Sequence, residues 1–205
     1  MRTIALLLML STIVSAETGF TPLLDDPALD QWTGDKDAYE VREGFVASDP
    51  KKAGKLYSKE QYDDFVLRFE YRLTPGANNG IGVRVPAGGH ASREGMEIQI
   101  LDDTHKKYDN LKPYQANGSV YCYVSAEKGH LKPLGEWNEM EIRYEGPHAK
   151  ITLNGHVIVD ADLEGLKPLD GRERPGIKSK RGHLTFCGHR SEVHFRNMRV
   201  KKLAD

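Results

Sequence analysis

Apolar and polar residues alternate with a period of two through most of this chain, and the spacing of an amphipathic helix is nearly absent. The clearest run is Phe65-Val66-Leu67-Arg68-Phe69-Glu70-Tyr71-Arg72, which puts Phe65, Leu67, Phe69 and Tyr71 on one face of a strand. The same pattern predicts strands over 81–84, 96–101, 119–124, 140–144, 150–153, 157–159, 183–187 and 192–195. Turn residues fall between them at Pro75-Gly76, Gly88-Gly89, Asn154-Gly155 and Gly188. Lys150 to Leu153, then Asn154-Gly155, then His156 to Val159 is a two-residue hairpin signal. Ser58 to Asp63 reads as one short helical turn, and 102–118 and 160–181 as long loops. Many short antiparallel strands in 205 residues, with no repeat and no linker, predict an all-β sandwich or barrel.

The N-terminus departs from this pattern. Arg2 precedes an apolar run from Ile4 to Leu10, and Val14-Ser15-Ala16 ends the segment on small residues. This predicts a signal peptide over 1–16, export to the periplasm or medium, and one domain over 17–205 with no membrane attachment after cleavage. Formal net charge is −1. Nucleic acid is excluded as the main partner, because it requires a strong basic excess.

The two cysteines, Cys122 and Cys187, are expected as free thiols although export permits a disulfide. Alternation puts Cys122 with Val120 and Val124, and Cys187 opposite Leu184 and Phe186, so the sulfurs should lie on opposite sides of their sheets.

The same alternation locates candidate chemistry. With Met96, Ile98 and Ile100 pointing into the core, Glu97 and Gln99 project from the opposite face, and a bulge after Ile100 would bring Asp102 into their row. Arg84 projects outward between Val83 and Val85, and His189 lies two positions past Cys187. Tyr121 and Tyr123 offer flat platforms. Acids, bases, a cation and aromatic walls are what glycosidic chemistry requires. An ordinary wet face of an antiparallel sheet also carries charged residues, so alternation alone leaves both readings open.

Several segments resemble the 3-keto-disaccharide hydrolase family, a concanavalin A-like jelly roll. They include Gly19-Phe20-Thr21-Pro22-Leu23, Asp64 to Arg72, Asn78-Asn79-Gly80-Ile81-Gly82-Val83-Arg84 and Gly95-Met96-Glu97-Ile98-Gln99-Ile100-Leu101-Asp102. Gly118-Ser119-Val120-Tyr121, Glu136-Trp137-Asn138, Leu153-Asn154-Gly155, Gly182 to His189 and Val193 to Met198 follow in order. The resemblance implies a jelly-roll β-sandwich of two antiparallel sheets, with Arg84, Glu97, Gln99, Asp102 and His189 at the family's shared polar positions. It adds Asn79 as a substrate contact beside Gln99, Tyr121 and Tyr123. Cys187 departs from the family pattern, where relatives usually carry glutamine.

The Glu97-x-Gln99-x-x-Asp102 spacing is also similar to the Glu-x-Asp-x-x-Glu strand of jelly-roll glucanases. Its middle carboxylate is missing, which argues against a retaining glucanase with two matched carboxyl groups. The resemblance implies instead a hydrolase acting on 3-keto-glycosides, in which a ketone at C3 acidifies the C2 proton and the resulting enolate expels the C1 aglycone. Glu97 or His189 would be the base, Arg84 the electrophile for the C3 oxygen, with or without a metal, and Asp102 the acid. Glu97, Asp102 and His189 are the candidate ligands for a divalent metal. The alternatives are a non-catalytic carbohydrate-binding module of the same fold and a purely structural exported domain. Asn117-Gly118-Ser119 matches a glycosylation sequon, read as a chance match within a turn.

Overall fold

A computed structural model describes residues 17–204. The predicted leader lies outside the described residues. Thirteen strands make two antiparallel sheets: β1 (Thr21–Pro22), β2 (Trp32–Gly34), β3 (Tyr39–Arg42), β4 (Phe45–Ser48), β5 (Lys55–Tyr62), β6 (Phe65–Leu73), β7 (Asn78–Val85), β8 (Met96–Leu101), β9 (Trp137–Glu145), β10 (His148–Leu153), β11 (His156–Asp162), β12 (Gly182–Cys187) and β13 (Val193–Lys202). The larger sheet runs β11-β10-β9-β6-β13-β4-β3, with β1 beside β13, and the smaller runs β2-β5-β12-β7-β8. This is the predicted jelly-roll sandwich. One helical turn, α1 (Ala91–Glu94), follows β7.

The alternation of β6 explains how the sheets meet. Phe65, Leu67, Phe69 and Tyr71 are fully buried, while Arg68, Glu70 and Arg72 are only half-buried on the outer side. Leu56, Ile81, Val83, Ile98, Ile100, Leu184 and Phe186 answer from the smaller sheet. The Phe186 ring packs at a tilt against Trp32 at 4.8 Å and Phe195 at 4.7 Å, and the second contact ties the two layers together. Each large apolar side chain so buried contributes about 2–3 kcal/mol. The β10–β11 hairpin forms as predicted, with Asn154 and Gly155 at φ 50° and 84°, the left-handed values its two-residue turn needs.

Three local expectations are corrected. Residues 58–62 lie within β5 rather than in a helical turn, because Ser58 Oγ donates to Glu60 O and accepts from Leu184 N–H, holding an irregularity inside the strand. Residues 119–124 are not a strand. Val120 pairs with Ile98 and then with Val124 across a tight turn, with Cys122 at φ 66°. Strict alternation therefore fails there, and Val120 and Tyr123 both enter the core. The strands over 21–48 were not predicted, since none is longer than four residues and β4 shows no apolar alternation. Both cysteines are free and buried, Cys187 on the outer face of its sheet as expected. Asn117 is buried, its amide donating to Tyr71 Oη in the core.

Candidate active site

The outer face of the smaller sheet is a grid whose rows can be read from strand register. One row crosses Tyr57, Thr185, Gly82 and Glu97, and the next crosses Lys55, Cys187 and, through the Phe186–Ile81 pair, Gly80 and Gln99. The segment after Gly118 extends the grid, with Gln99 N–H donating to Ser119 O and Tyr121 N–H to Glu97 O. Two glycines and a thiol therefore sit where larger side chains would otherwise fill the middle. Above the first row, Tyr57 Oη donates to Gly89 O, and Val85, Ala91 and Cys187 pack with Tyr57. The 86–94 segment thus roofs the first row, while in the next row Lys55 is half-buried and Cys187, Gly80 and Gln99 are buried.

Glu97 and His189 meet here, although they are far apart in sequence. His189 Nε2 lies 3.7 Å from Glu97 Oε1, with the imidazole 42% exposed and the carboxylate 6% exposed. Glu97 Oε1 is buried and has no hydrogen-bond partner. The carboxylate lies directly over Gly80, where any side chain would collide with it. Removing a carboxylate oxygen from water without a donor is costly, so this arrangement suits an arriving ligand. Gln99 joins it as predicted, and its amide donates to Asn78 Oδ1 at 3.3 Å. Tyr121 also belongs to this face, its ring under Arg174 at 5.9 Å. Burial pushes the Tyr121 phenol up, and the Glu97 charge adds to that shift.

Four predicted site residues lie elsewhere. Arg84 occupies a bulge, because between Gly82 and Val85 β7 places two residues, Val83 and Arg84, against Leu184 alone on β12, and its φ is 53°. The extra residue turns Val85 outward and sends the Arg84 guanidinium to Asp63 O (2.9 and 2.7 Å), Gly146 O (2.8 Å) and Asp64 Oδ1 (2.9 Å). It also covers the buried Tyr144 ring at 5.1 Å. Every strong donor is used, and Arg84 is a structural fastener.

Asp102 fails for the opposite reason: the expected bulge after Ile100 does not form, and β8 stays in register with β7 through Leu101. Its carboxylate accepts from Gly76 N–H, Thr104 N–H and Thr104 Oγ1, holding two loops. Five residues of strand also separate it from Glu97 by about 16 Å. Asn79 faces the core opposite Ile100 and caps its own neighbour, Gly80 N–H; the outward neighbour of Gln99 is Asn78. Tyr123 is buried with its hydroxyl on Arg174 O.

His90 and Lys55 were missed. His90 begins α1 at the end of the 86–90 turn, with Nδ1 3.3 Å from Ser92 Oγ. Burial, then the charges of Lys55 and Arg93, hold its pKa below 6.5, while Glu97 opposes the shift. A lone histidine after two glycines carries no periodic signal. Lys55 had one, since β5 alternates with Leu56 inward, but the mistaken helical turn over 58–63 hid it. Of the three candidate metal ligands only Glu97 and His189 meet, and no group of three His, Cys, Asp or Glu among the described residues is arranged to hold a metal.

Residues 19–201 match the family described as 3-keto-alpha-glucoside-1,2-lyase-like domains. A curated relative from Bacteroides thetaiotaomicron, named 3-keto-disaccharide hydrolase, is 24% identical over 180 residues, which is 73% of this chain. The chain spans 62% of that relative's length. A Parabacteroides distasonis structure, provisionally assigned as a glycosyl hydrolase, superposes with a TM-score of 0.79 at 26% identity, covering 90% of this chain and 99% of the other. A carbohydrate-binding module from Bacillus subtilis shares the fold at 11% identity and a TM-score of 0.59, covering 84% and 96%.

Proposed function

The chain belongs to the family of 3-keto-alpha-glucoside-1,2-lyase-like domains, and from that premise we propose that it is a hydrolase of 3-keto-glycosides working by elimination and rehydration. The observation that carries this reading is the buried, unpartnered Glu97 oxygen beside half-exposed His189 on a floor cleared by Gly80. A carboxylate of this kind is a base awaiting a proton, and the ketone makes the C2 proton acidic enough to be taken.

In the proposed cycle Glu97 removes the C2 proton, and the electron pair moves into an enolate with its charge on the C3 oxygen. The enolate re-forms the ketone and expels the aglycone oxygen from C1, and protonated His189 supplies the proton that this oxygen needs. The product is a 1,2-unsaturated 3-keto sugar. Water then adds, hydroxyl to C1 and the stored proton from Glu97 to C2, and deprotonation of that water restores His189. Asp102 and Arg84 take no part. Export through residues 1–16 would place this activity in the periplasm or outside the cell, acting on a small carbohydrate.

Incubation with a 3-keto-glucoside and with its parent glucoside tests the reading. Cleavage of the keto sugar alone is expected, with Glu97→Gln lowering it ~10²-fold or more while the protein stays folded. A matched change on the larger sheet, Glu70→Gln, is expected to leave cleavage unaltered. Equal cleavage of the parent glucoside, or full activity in Glu97→Gln, would overturn the mechanism. Sugar-dependent stabilisation without turnover would identify a carbohydrate-binding module instead.

A further inference from the structure

The corrected position of Arg84 leaves the C3 oxygen of the proposed substrate without a positive partner. On the outer grid Lys55 stands at one end of the row that continues through Cys187 and Gly80 to Gln99. The ends of this row are three strand spacings apart, about 14 Å, and the floor between them carries only a thiol and a hydrogen atom. The Glu97 carboxylate leans over Gly80 from the far side.

The lysine backbone is fixed at both polar groups, with Lys55 N–H donating to Asp35 Oδ2 at 3.0 Å and Asp35 N–H donating to Lys55 O at 2.9 Å. Its side chain is half-buried. Lys36, Lys52, Lys150 and Lys202 form ion pairs among the described residues; Lys55 does not. Arg174, another cation at this face, spends one terminal nitrogen on Asp170 and the Cys122 sulfur, while its Nε is buried without a partner.

We propose that Lys55 is the catalytic cation that donates to the C3 oxygen of a 3-keto sugar as the enolate forms, across the floor from Glu97. This deepens the proposed function and rests on it. Two bystanders record where the charges lie: the Cys187 thiol is pushed up first by burial and then by Glu97 while Lys55 pulls the other way, and His90 feels the same opposed pair. A preorganised donor at a developing enolate oxygen accelerates its formation ~10²–10³-fold.

Wash-in of solvent deuterium at C2 of the keto sugar reads enolate formation directly, beside cleavage as the second readout. Lys55→Met is expected to slow both by the same ~10²–10³-fold factor in kcat with an unchanged melting temperature, and Lys55→Arg to recover part of each. If Lys55→Met melts early, Lys55→Gln replaces it in the same comparison. Normal exchange and cleavage in these variants, or a change in KM alone, would overturn the Lys55 role and leave the hydrolase reading standing. Wild-type protein that neither exchanges nor cleaves would overturn both.

Discussion

The two outer faces of the sandwich carry similar residue types and use them differently. On the larger sheet several arginines are spoken for: Arg68 pairs with Glu141, Arg196 with Glu70, and Arg42 with Glu192. Arg196 and Arg72 also lie over the Trp137 ring at 4.1 and 4.7 Å. A groove of about 910 Å³ opens on that side between the Phe20–Pro27 segment and the β3–β4 turn, yet its polar lining includes Glu17, Glu70, Arg196 and Arg199, all in ion pairs. On the smaller sheet the centre is emptied by Gly80 and Gly82, while Glu97 keeps an unpartnered oxygen and Lys55 an unpaired ammonium. Groove volume points to one face and unmet bonding capacity to the other. Unmet capacity is the better guide to chemistry, because a solvated face reaches its best energy by pairing its charges with each other, whereas a reacting site must leave groups free for something that arrives.

The sharpest test of this contrast is Arg84, a saturated charge that alternation assigns to the less saturated face and the bulge turns away from it. Arg84→Met should cost about 2–4 kcal/mol in chemical denaturation, since Asp63 O and Gly146 O lose their donors. The folded fraction should still exchange the C2 proton at the wild-type rate; a lost rate without lost stability would return Arg84 to the site. Gly80→Ala addresses the empty floor. A methyl group there displaces the Glu97 carboxylate, so cleavage should fall ~10- to 10²-fold while the melting curve stays close to wild type. An unchanged rate would show that the carboxylate need not lie over β7. The smallest effect concerns His90, whose folded pKa lies below 6.5 because of burial first and Lys55 second. Between the two values the unfolded chain binds more protons, so a destabilisation absent above pH 6.5 sets in as pH falls through it. NMR titration should place the His90 midpoint below 6.5, and Lys55→Met should move it upward. A midpoint indifferent to Lys55 would separate the two side chains.

Period-two reading was sufficient for β6, β8, β9, β10 and β12, whose buried partners fall where alternation puts them. It also brought Glu97, Gln99 and Cys187 to the correct face. It failed where one residue changes the count. The bulge at Arg84 adds a residue to β7 and reverses the faces beyond it, whereas the bulge expected at Asp102 is absent; neither is written in local composition. Asn79 was misplaced by one position for a related reason, since Asn78 and Asn79 are chemically identical neighbours on opposite faces. His90 reaches the site through a turn that depends on tertiary contacts such as Tyr57 Oη to Gly89 O, whereas Lys55 lies in the regular part of β5, in register with Cys187.

Asn117 has a consequence for the biosynthesis of this protein. Its side chain serves the interior, with Nδ2 donating to Tyr71 Oη and Oδ1 accepting from Leu101 N–H. The acceptor motif it begins would be visible to a glycosylating enzyme only while the chain is still emerging and unfolded. A sugar attached at that moment could not be accommodated in the finished core, so the modified molecules would be trapped short of the native state. Production in a host whose secretory route attaches glycans to asparagine therefore calls for Asn117 to be left unmodified, and the yield of folded protein there depends on a race between folding and the transferase.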